Sequence, residues 1–314
     1  METSYRPSIA IVGAGALGGF VGAHLARAGH DVRFLARSDY EALRERGWQV
    51  TLADAEPFAV EAPEVFRTTA EIGVVDLVVV ALKTTANTAL PDLLPPLVGP
   101  ATRLLTIQNG LGNVEQLSDL FPDNPVLGGL CQIGVDREEP GRLVSYVPGG
   151  GQIQVGAGPR ADEAMVREIA ALLRDAGLKT RELALLGEAL WRKLMWNVPY
   201  NGLTVAIGGC TTDHIVGDPV LDALSAQLMD ELQRAATALG FPIEPAYGAK
   251  QRAFTRKLGA YPPSSLVDWR AGRALEVEAI WGEPLRQGTA AGVDMPHLRA
   301  LHAILHGLNQ RNKA

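Results

Sequence analysis

The chain has 314 residues, of which 47% are hydrophobic and 20% charged, and its formal net charge is −6. This composition supports a large buried core, enough for about two domains of roughly 150 residues, and excludes a disordered or low-complexity chain. The negative charge argues against a nucleic-acid partner, because such binding needs a basic surface. The only cysteines, Cys131 and Cys210, provide neither a disulfide framework nor a cysteine-based zinc site, and they favour a reduced, cytoplasmic setting.

The stretch 7–26 contains no Lys, Arg, Asp or Glu, as a signal peptide or a membrane span would. Five glycines interrupt it, however, and each glycine costs a helix about 1 kcal/mol relative to alanine. We therefore expect a strand, a glycine turn and an amphipathic helix here, and no membrane partner.

Short β-rich runs alternate with helical stretches in the first half of the chain, which is typical of crossover units on a parallel sheet. The predicted parallel strands are Ser8–Val12, Asp31–Ala36, Leu77–Ala81, Arg103–Ile107 and Val126–Cys131. Two antiparallel additions, Leu143–Val147 and Ile153–Val155, are predicted on either side of a Gly-Gly-Gly turn. The predicted helices are Leu17–Ala28, Ala86–Leu97, Val114–Phe121 and Asp162–Ala176.

Strand-like runs end near Leu183, and amphipathic helical stretches separated by glycines and prolines follow. The predicted helices are Leu185–Val205, Pro219–Leu239, Ile243–Leu258, Leu275–Ala291 and Pro296–Asn309. The pattern therefore predicts an α/β fold with two domains, a Rossmann-type dinucleotide-binding domain over 1–183 and an all-helical substrate domain over 184–314.

A GxGxxG motif follows the first predicted strand and opens the first predicted helix, where it is typical of dinucleotide binding. Its first glycine permits a tight turn, its second lets a pyrophosphate approach the backbone, and its third lets helix and strand pack closely. The residues predicted to contact the cofactor here are Gly13, Ala14, Gly15, Ala16, Leu17 and Gly18.

The end of the second strand indicates which dinucleotide is bound. An NAD site places an acidic residue there to accept from the ribose 2′-hydroxyl, whereas this chain has Arg37 followed by Ser38. Arg37 can pair with a 2′-phosphate and Ser38 can add a hydroxyl donor. Asp39 lies slightly too far on to be the acidic residue of an NAD site and could cap the helix that follows. The sequence therefore favours NADPH over NADH.

Three polar residues, Lys193, Asn197 and Asn201, are spaced i, i+4 and i+8 within an otherwise apolar stretch, so on a helix they share one face. One cation and two carboxamides on such a face are unusual for a core helix, and asparagine is a poor helix former. A lysine can donate a proton to a carbonyl that is being reduced, and the amides can bind substrate oxygens without adding charge.

These motifs together resemble the ketopantoate reductase family (2-dehydropantoate 2-reductase), and the resemblance runs over nearly the whole chain. The matching segments are GAGALGG at 13–19, Arg37, LKT at 82–84, QNG at 108–110, WRKLMWN and NGLT within 191–204, and PSSLVDWRAGRALEVE at 263–278. The resemblance implies reduction of ketopantoate to pantoate with NADPH, in the pathway to coenzyme A.

The resemblance also implies roles for individual residues. Lys83 would contact the cofactor, and Asn109 would lie beside both the nicotinamide and the substrate. Lys193 would be the catalytic lysine, and Asn197 and Asn201 would be the two helix asparagines that bind substrate.

The block at 263–278 requires a choice of register. An alignment anchored on Asp268 places the family's substrate-binding serine on Ser264 and its catalytic glutamate on Glu276. Ser265 and Glu278 remain alternatives. In the expected mechanism a hydride passes from NADPH to the 2-keto carbon, Lys193 donates the proton, and the glutamate orients Lys193 or binds a substrate hydroxyl.

The chain departs from the family pattern in two places. A further substrate asparagine of the family is missing at 208–211, where Thr211 could replace only one hydrogen bond. Trp269 and Trp281 stand where smaller or more polar residues are expected. Both departures bear on which 2-keto acid is the substrate.

Three alternatives stay open: a reductase for another 2-keto acid, a 3-hydroxyacid dehydrogenase, and a non-catalytic NADPH-binding sensor. The QNG segment and the 263–278 block disfavour the dehydrogenase. Apolar helix faces such as LHAILHGL would suit a homodimer. His297, His302 and His306 are expected to lack carboxylate partners, so no metal site is expected.

Overall fold

The computed structural model describes residues 6–311, which form two compact units. The sheet unit consists of two chain segments, of which the first ends at Gln108 and the second is Asn113–Leu186. The helical unit comprises Asn109–Gly112 and the chain from Gly187 onward. The short excursion Asn109–Gly112 belongs to the helical unit although it lies within the sequence of the sheet unit.

The strands and helices are numbered here in chain order. The strands are β1 (Ile9–Val12), β2 (Val32–Leu35), β3 (Trp48–Thr51), β4 (Phe58–Val60), β5 (Glu64–Phe66), β6 (Val75–Val80), β7 (Val98–Thr106), β8 (Val126–Gln132), β9 (Val135–Glu139), β10 (Arg142–Ser145), β11 (Gln152–Ala157) and β12 (Thr180–Leu183). The α-helices are α1 (Ala16–Arg27), α2 (Tyr40–Arg46), α3 (Thr69–Ile72), α4 (Leu90–Leu93), α5 (Asn113–Leu120), α6 (Glu163–Asp175), α7 (Leu186–Ala206), α8 (Thr212–Gly217), α9 (Pro219–Ala238), α10 (Tyr247–Leu258), α11 (Ser264–Arg270), α12 (Glu283–Ala290) and α13 (Pro296–Arg311).

The main sheet has eight strands in the order β12-β11-β8-β7-β6-β1-β2-β5. Its central pairs are parallel, with Ile9 opposite both Val32 and Leu77. Every residue of β1 is buried, as expected for a parallel strand covered on both faces. β11 pairs antiparallel with β8. The predicted α/β fold class is confirmed, and α1 follows β1 where the glycine motif predicts it.

A second sheet of four strands, in the order β4-β3-β10-β9, was not predicted. The expectation that Leu143–Val147 extends the main sheet is wrong, because Leu143 pairs with Val50 of β3 and lies in this smaller sheet. Trp48, Val50 and Leu143 are fully or almost fully buried and join the core of the sheet unit.

The single helix predicted over Ala86–Leu97 is also wrong. The chain forms 3₁₀ turns at Thr84–Ala89 and Pro95–Leu97, with only the short α4 between them. Prolines at 91, 95 and 96 explain the break, because proline lacks the N–H that a helix interior requires.

The helical unit has its own apolar core, built around Trp191, Met195, Tyr200 and Trp281. The helix predicted over Leu275–Ala291 begins later, with a π-helical turn at Glu278–Gly282 that continues into α12. The short helices α8 and α11 were not predicted as elements. Within residues 6–311, no helix is both long and apolar enough to cross a membrane.

Candidate active site

The glycine loop follows β1 directly and turns tightly into α1. Gly13 has a φ of +109°, a backbone conformation that side chains rarely allow. A Cβ at Gly13 would lie 2.6 Å from the backbone nitrogen of Leu82, the residue shortly after β6. The first glycine of the motif is therefore required both by the turn and by its close neighbour.

The N-terminus of α1 is open toward an anionic ligand. Gly15 is its N-cap residue, no side chain caps the helix, and its first turn contains no acidic residue. A Cβ at Gly15 would meet nothing within 4 Å, whereas one at Gly18 would collide with the Gly13 carbonyl. The backbone N–H groups and the helix dipole thus fit a pyrophosphate above Gly15, while Gly18 serves the packing of the loop.

The other three motif residues line the same turn. Ala14 is 9% exposed, Ala16 begins α1, and Leu17 is partly buried against the core of the sheet unit. Their backbones, rather than their small apolar side chains, are the groups that can contact a cofactor.

Arg37 and Ser38 follow β2, where the sequence predicts the 2′-phosphate site. The Arg37 side chain is exposed and makes no ion pair or hydrogen bond with any residue in the described range 6–311. The Ser38 hydroxyl donates a hydrogen bond to Asp39 Oδ1 at 2.6 Å. Asp39 precedes α2, but its side chain makes no capping hydrogen bond.

Lys83 is exposed and immediately precedes the 3₁₀ turn Thr84–Ala89. The loop that carries it is fixed by Gln108, whose Nε2 donates to the Leu82 carbonyl at 2.8 Å and to Asn87 Oδ1 at 2.7 Å. Neither Gln108 nor Asn87 was predicted as a site residue. The resemblance names both the LKT and the QNG motif, but nothing in the sequence indicates that they contact each other.

Lys193 and Asn109 are in direct contact within the helical unit. Lys193 Nζ donates to Asn109 Oδ1 at 2.6 Å. Both side chains are half-buried, and Lys193 lies on α7, which also carries Asn197 and Asn201. The amide oxygen fixes the position of the ammonium group without neutralising its charge.

The segment Asn109–Gly112 is held against the π-helical turn by one backbone hydrogen bond, from Leu111 N–H to the Ala279 carbonyl at 2.9 Å. This carbonyl is available because Glu283 N–H bonds to Glu278 instead, and the following residue, Pro284, has no N–H.

Gly110 lies directly on the same turn, where a Cβ would collide with the Ala279 carbonyl. The π-helical turn thus positions the loop that carries Asn109.

The two helix asparagines differ in their surroundings. Asn197 is 7% exposed, and its side chain makes no hydrogen bond with another residue in the described part of the chain. Asn201 is 1% exposed and accepts hydrogen bonds at Oδ1 from Ser265 N–H at 2.8 Å and Ser264 Oγ at 3.4 Å. Asn201 therefore fixes the start of α11, while Asn197 has capacity for a ligand.

The residues of the two alternative registers of the 263–278 block differ in exposure. Ser264 is exposed and Ser265 is buried, so Ser264 is the serine available to a ligand. Glu276 is 6% exposed, whereas Glu278 is exposed and its Oε1 lies 3.2 Å from His302 Nε2. The exposed Ser264 and the buried Glu276 are the pair predicted from the resemblance, and their roles stay predictions.

Asn309 from α13, another residue that sequence reasoning missed, accepts a hydrogen bond from Leu275 N–H at 2.8 Å and so fixes the chain next to Glu276. Asn309 lies outside every motif of the resemblance, and no sequence signal indicated it.

Two residues singled out as departures have structural roles. Trp281 is fully buried, and its Nε1 donates to the Val198 carbonyl at 2.9 Å. Thr211 is the N-cap residue of α8, and its hydroxyl donates to Asp213. These contacts account for both residues without a substrate.

The expectation that the histidines lack carboxylate partners is wrong. His297 Nδ1 lies 2.6 Å from Glu231 Oε1, and both His302 and His306 lie near Glu278. No group of three or more His, Cys, Asp or Glu side chains within residues 6–311 is arranged to hold a metal ion. Within residues 6–311, neither Cys131 nor Cys210 forms a disulfide bond.

A parallel sheet with an open helix N-terminus after β1, together with a helical unit that presents a lysine and amides, defines an oxidoreductase of the nicotinamide-dependent type. Residues 9–160 match the family described as "Ketopantoate reductase PanE/ApbA", and residues 186–309 match "Ketopantoate reductase PanE/ApbA C terminal". The chain belongs to the ketopantoate reductase family, whose members are oxidoreductases acting on CH–OH and C=O groups.

Individual relatives agree with this assignment. The chain is 36% identical to a 2-dehydropantoate 2-reductase from Nostoc sp., covering 97% of this chain and 96% of the relative. The crystal structure of a 2-dehydropantoate 2-reductase from Geobacter metallireducens is 39% identical with a TM-score of 0.89, covering 95% of this chain and 99% of the other. That from Methylococcus capsulatus is 32% identical with a TM-score of 0.90, covering 98% of both chains.

Proposed function

We propose that the chain reduces 2-dehydropantoate (ketopantoate) to pantoate with NADPH, and that Lys193 donates the proton. The contact between Lys193 Nζ and Asn109 Oδ1 at 2.6 Å carries this proposal, because it fixes a cation beside amide groups suited to an oxygen-rich substrate. The names of the relatives supply the substrate, since three similar proteins are 2-dehydropantoate 2-reductases.

Held by the glycine loop and Arg37, NADPH would supply a hydride to C2 of the keto acid. As the new C–H bond forms, the electrons of the C=O double bond move to the oxygen, and Lys193 gives that oxygen a proton. The product is an alcohol, and Lys193 regains a proton from solvent. A charged lysine also stabilises the negative charge that develops on the oxygen before the proton moves.

The remaining site residues are assigned to binding and orientation. Asn197, whose side chain makes no hydrogen bond with another residue in the described part of the chain, would bind a substrate oxygen. The exposed hydroxyl of Ser264 would do the same, and Asn201 would hold α11 in place for it. Glu276 would orient Lys193 or accept from the substrate hydroxyl.

The cofactor residues support NADPH in particular. The exposed Arg37 guanidinium, free of protein partners in the described part of the chain, suits a 2′-phosphate. Lys83 adds a second exposed cation shortly after β6. The backbone at Gly13, Gly15 and Gly18 would bind the pyrophosphate.

The test is NADPH oxidation by the purified protein with ketopantoate and a panel of other 2-keto acids, repeated with NADH. We expect ketopantoate with NADPH to give the highest kcat/KM. Preferred turnover of another 2-keto acid would overturn the substrate assignment but keep the chemistry. Tight NADPH binding without reduction of any panel member would overturn the enzymatic proposal in favour of a sensor.

A further inference from the structure

A buried carboxylate lies directly after the two residues assigned to the 2′-phosphate. Asp39 is 2% exposed, and its Oδ1 accepts from Ser38 Oγ and from Arg137 Nη1, each at 2.6 Å. Its Oδ2 is also buried and makes no hydrogen bond with the described chain. Arg137 comes from β9, the edge strand of the small sheet, 98 residues further along the chain.

This arrangement places a negative charge, on Asp39, and a positive charge, on Arg137, beside the proposed 2′-phosphate site at Arg37 and Ser38. An acidic residue at the end of the second strand is the feature that selects NAD, because it accepts from the ribose 2′-hydroxyl and repels a 2′-phosphate. Asp39 is too buried to accept from the ribose, but it lies only two residues beyond Arg37, so its charge would repel a 2′-phosphate if it were not balanced. Arg137 is the ion-pair partner of Asp39, so with Arg37 the three side chains carry a net charge of +1 instead of 0.

The burial of Asp39 makes this balance effective. Charges removed from water interact more strongly than exposed ones and are less screened by salt. The exposed fractions of the two side chains are 38% for Arg137 and 2% for Asp39, so the carboxylate cannot be balanced by solvent ions in place of the arginine.

We propose that Arg137 is a specificity-determining residue for NADPH, which acts by neutralising Asp39 and not by contacting the cofactor. The small sheet therefore has a functional role, since its edge strand delivers the cation that makes the end of β2 compatible with a 2′-phosphate. This inference rests on the proposed use of NADPH. It goes beyond that proposal because it assigns part of the preference for NADPH over NADH to a residue outside the glycine motif and the end of β2.

The test measures the Kd of NADPH and of NADH by nicotinamide fluorescence, so it does not depend on turnover. Arg137→Met should weaken NADPH binding by about five- to tenfold and leave NADH binding unchanged or tighter. Arg137→Lys, which keeps the charge, should retain most of the preference. Arg142→Met on the neighbouring strand β10 removes an exposed arginine that pairs with Glu138 and Glu139, and serves as the matched control.

The double variant Asp39→Asn/Arg137→Met separates the proposed mechanism from a direct contact. Removing the carboxylate together with its partner should restore NADPH affinity, and this variant also leaves no unpaired buried charge that could prevent folding. If the double variant binds NADPH as weakly as Arg137→Met, Arg137 contacts the phosphate itself and the proposal is wrong. An unchanged NADPH to NADH ratio in Arg137→Met, with a native circular dichroism spectrum, would also overturn it.

The wild-type protein distinguishes the two levels of inference. If the wild type itself prefers NADH, the proposed cofactor is wrong and Arg137 has no NADPH preference to support. If the wild type prefers NADPH while Arg137→Met behaves identically, only the role of Arg137 is overturned.

Discussion

The two units prepare their ligand sites in different ways. In the sheet unit, the groups proposed to bind the cofactor are backbone N–H groups at the start of α1, in a loop of consecutive residues shaped by its glycines. In the helical unit they are side chains on α7, and two of these are fixed from far away. Lys193 contacts a residue 84 positions away, and Asn201 contacts one 64 positions away.

This difference explains what a substitution should do in each unit. A backbone site should respond to added atoms, because its function depends on open space and close approach. A side-chain site should respond to the loss of a partner, because its function depends on where a few polar atoms are held. The predictions for the glycine loop and for the loop that carries Asn109 test this distinction directly.

The sharpest contrast in the sheet unit is between Gly15→Ala and Gly18→Ala. A Cβ at Gly15 meets open space, so we expect an unchanged melting temperature but an NADPH Kd raised on the order of tenfold, about 1.4 kcal/mol. A Cβ at Gly18 collides with the Gly13 carbonyl, so we expect a loss of stability of about 1–3 kcal/mol. Fluorescence titration and thermal unfolding measure the two effects separately.

Normal NADPH binding by Gly15→Ala would contradict the placement of a pyrophosphate above this residue. The control is Gly217→Ala. A Cβ at Gly217 also meets nothing within 4 Å, and Gly217 lies in α8 of the helical unit.

In the helical unit, Pro284→Ala should impair catalysis with little effect on stability. The new N–H could bond to the Ala279 carbonyl and compete with Leu111, which would loosen the loop that carries Asn109. We expect kcat to fall a few-fold, and the amide of Leu111 to exchange its hydrogen faster in an NMR measurement.

Pro219→Ala is the matched control for this change, because Pro219 occupies the first turn of α9, remote in sequence from the Asn109–Gly112 segment. Unaltered protection of the Leu111 amide in Pro284→Ala would show that proline at this position does not determine which donor the Ala279 carbonyl accepts.

A separate prediction is that the free energy of unfolding depends on pH through His24. This ring lies between Phe20 and Phe58, Nδ1 is 3.1 Å from the Ala176 carbonyl, and Nε2 is buried without a partner. Burial lowers the pKa of His24 from its ordinary value of 6.5, and the nearby Arg27 adds to this. The unfolded chain therefore takes up this proton at a higher pH than the folded chain does.

The contribution of neutral His24 to the free energy of unfolding is accordingly fully present above about pH 6.5, and it is lost as the pH falls below that value. One proton limits the slope to about 1.4 kcal/mol per pH unit. Urea unfolding between pH 7.5 and 5.5 gives the free energy of unfolding at each pH. This free energy should change less steeply with pH for His24→Leu than for the wild type. Equal slopes would mean that His24 does not contribute to the acid sensitivity.

Features encoded by neighbouring residues could be predicted from the sequence. The glycine spacing predicts β1, the turn and α1, because each residue type there meets a local requirement. The i, i+4, i+8 spacing likewise predicts one helix face for Lys193, Asn197 and Asn201, since the helical period alone determines it.

Features that depend on distant contacts could not be predicted. The strands of the small sheet are three to five residues long, and β3 pairs with β10 more than 90 positions away, so no local pattern marks them. The partner of His297 is Glu231 on another helix, 66 positions away. The hydrogen bond between Leu111 and the π-helical turn joins segments that are far apart in the chain, so no local pattern indicates it.

The most direct test of the proposed reaction compares kcat with NADPH binding in Lys193→Met, with Lys257→Met on an exposed position of α10 as the control. If Lys193 donates the proton, kcat for ketopantoate should fall by about 10²- to 10⁴-fold while the Kd of NADPH stays unchanged. Activity of Lys193→Met within a few-fold of the wild type would contradict the assignment of Lys193 as the proton donor.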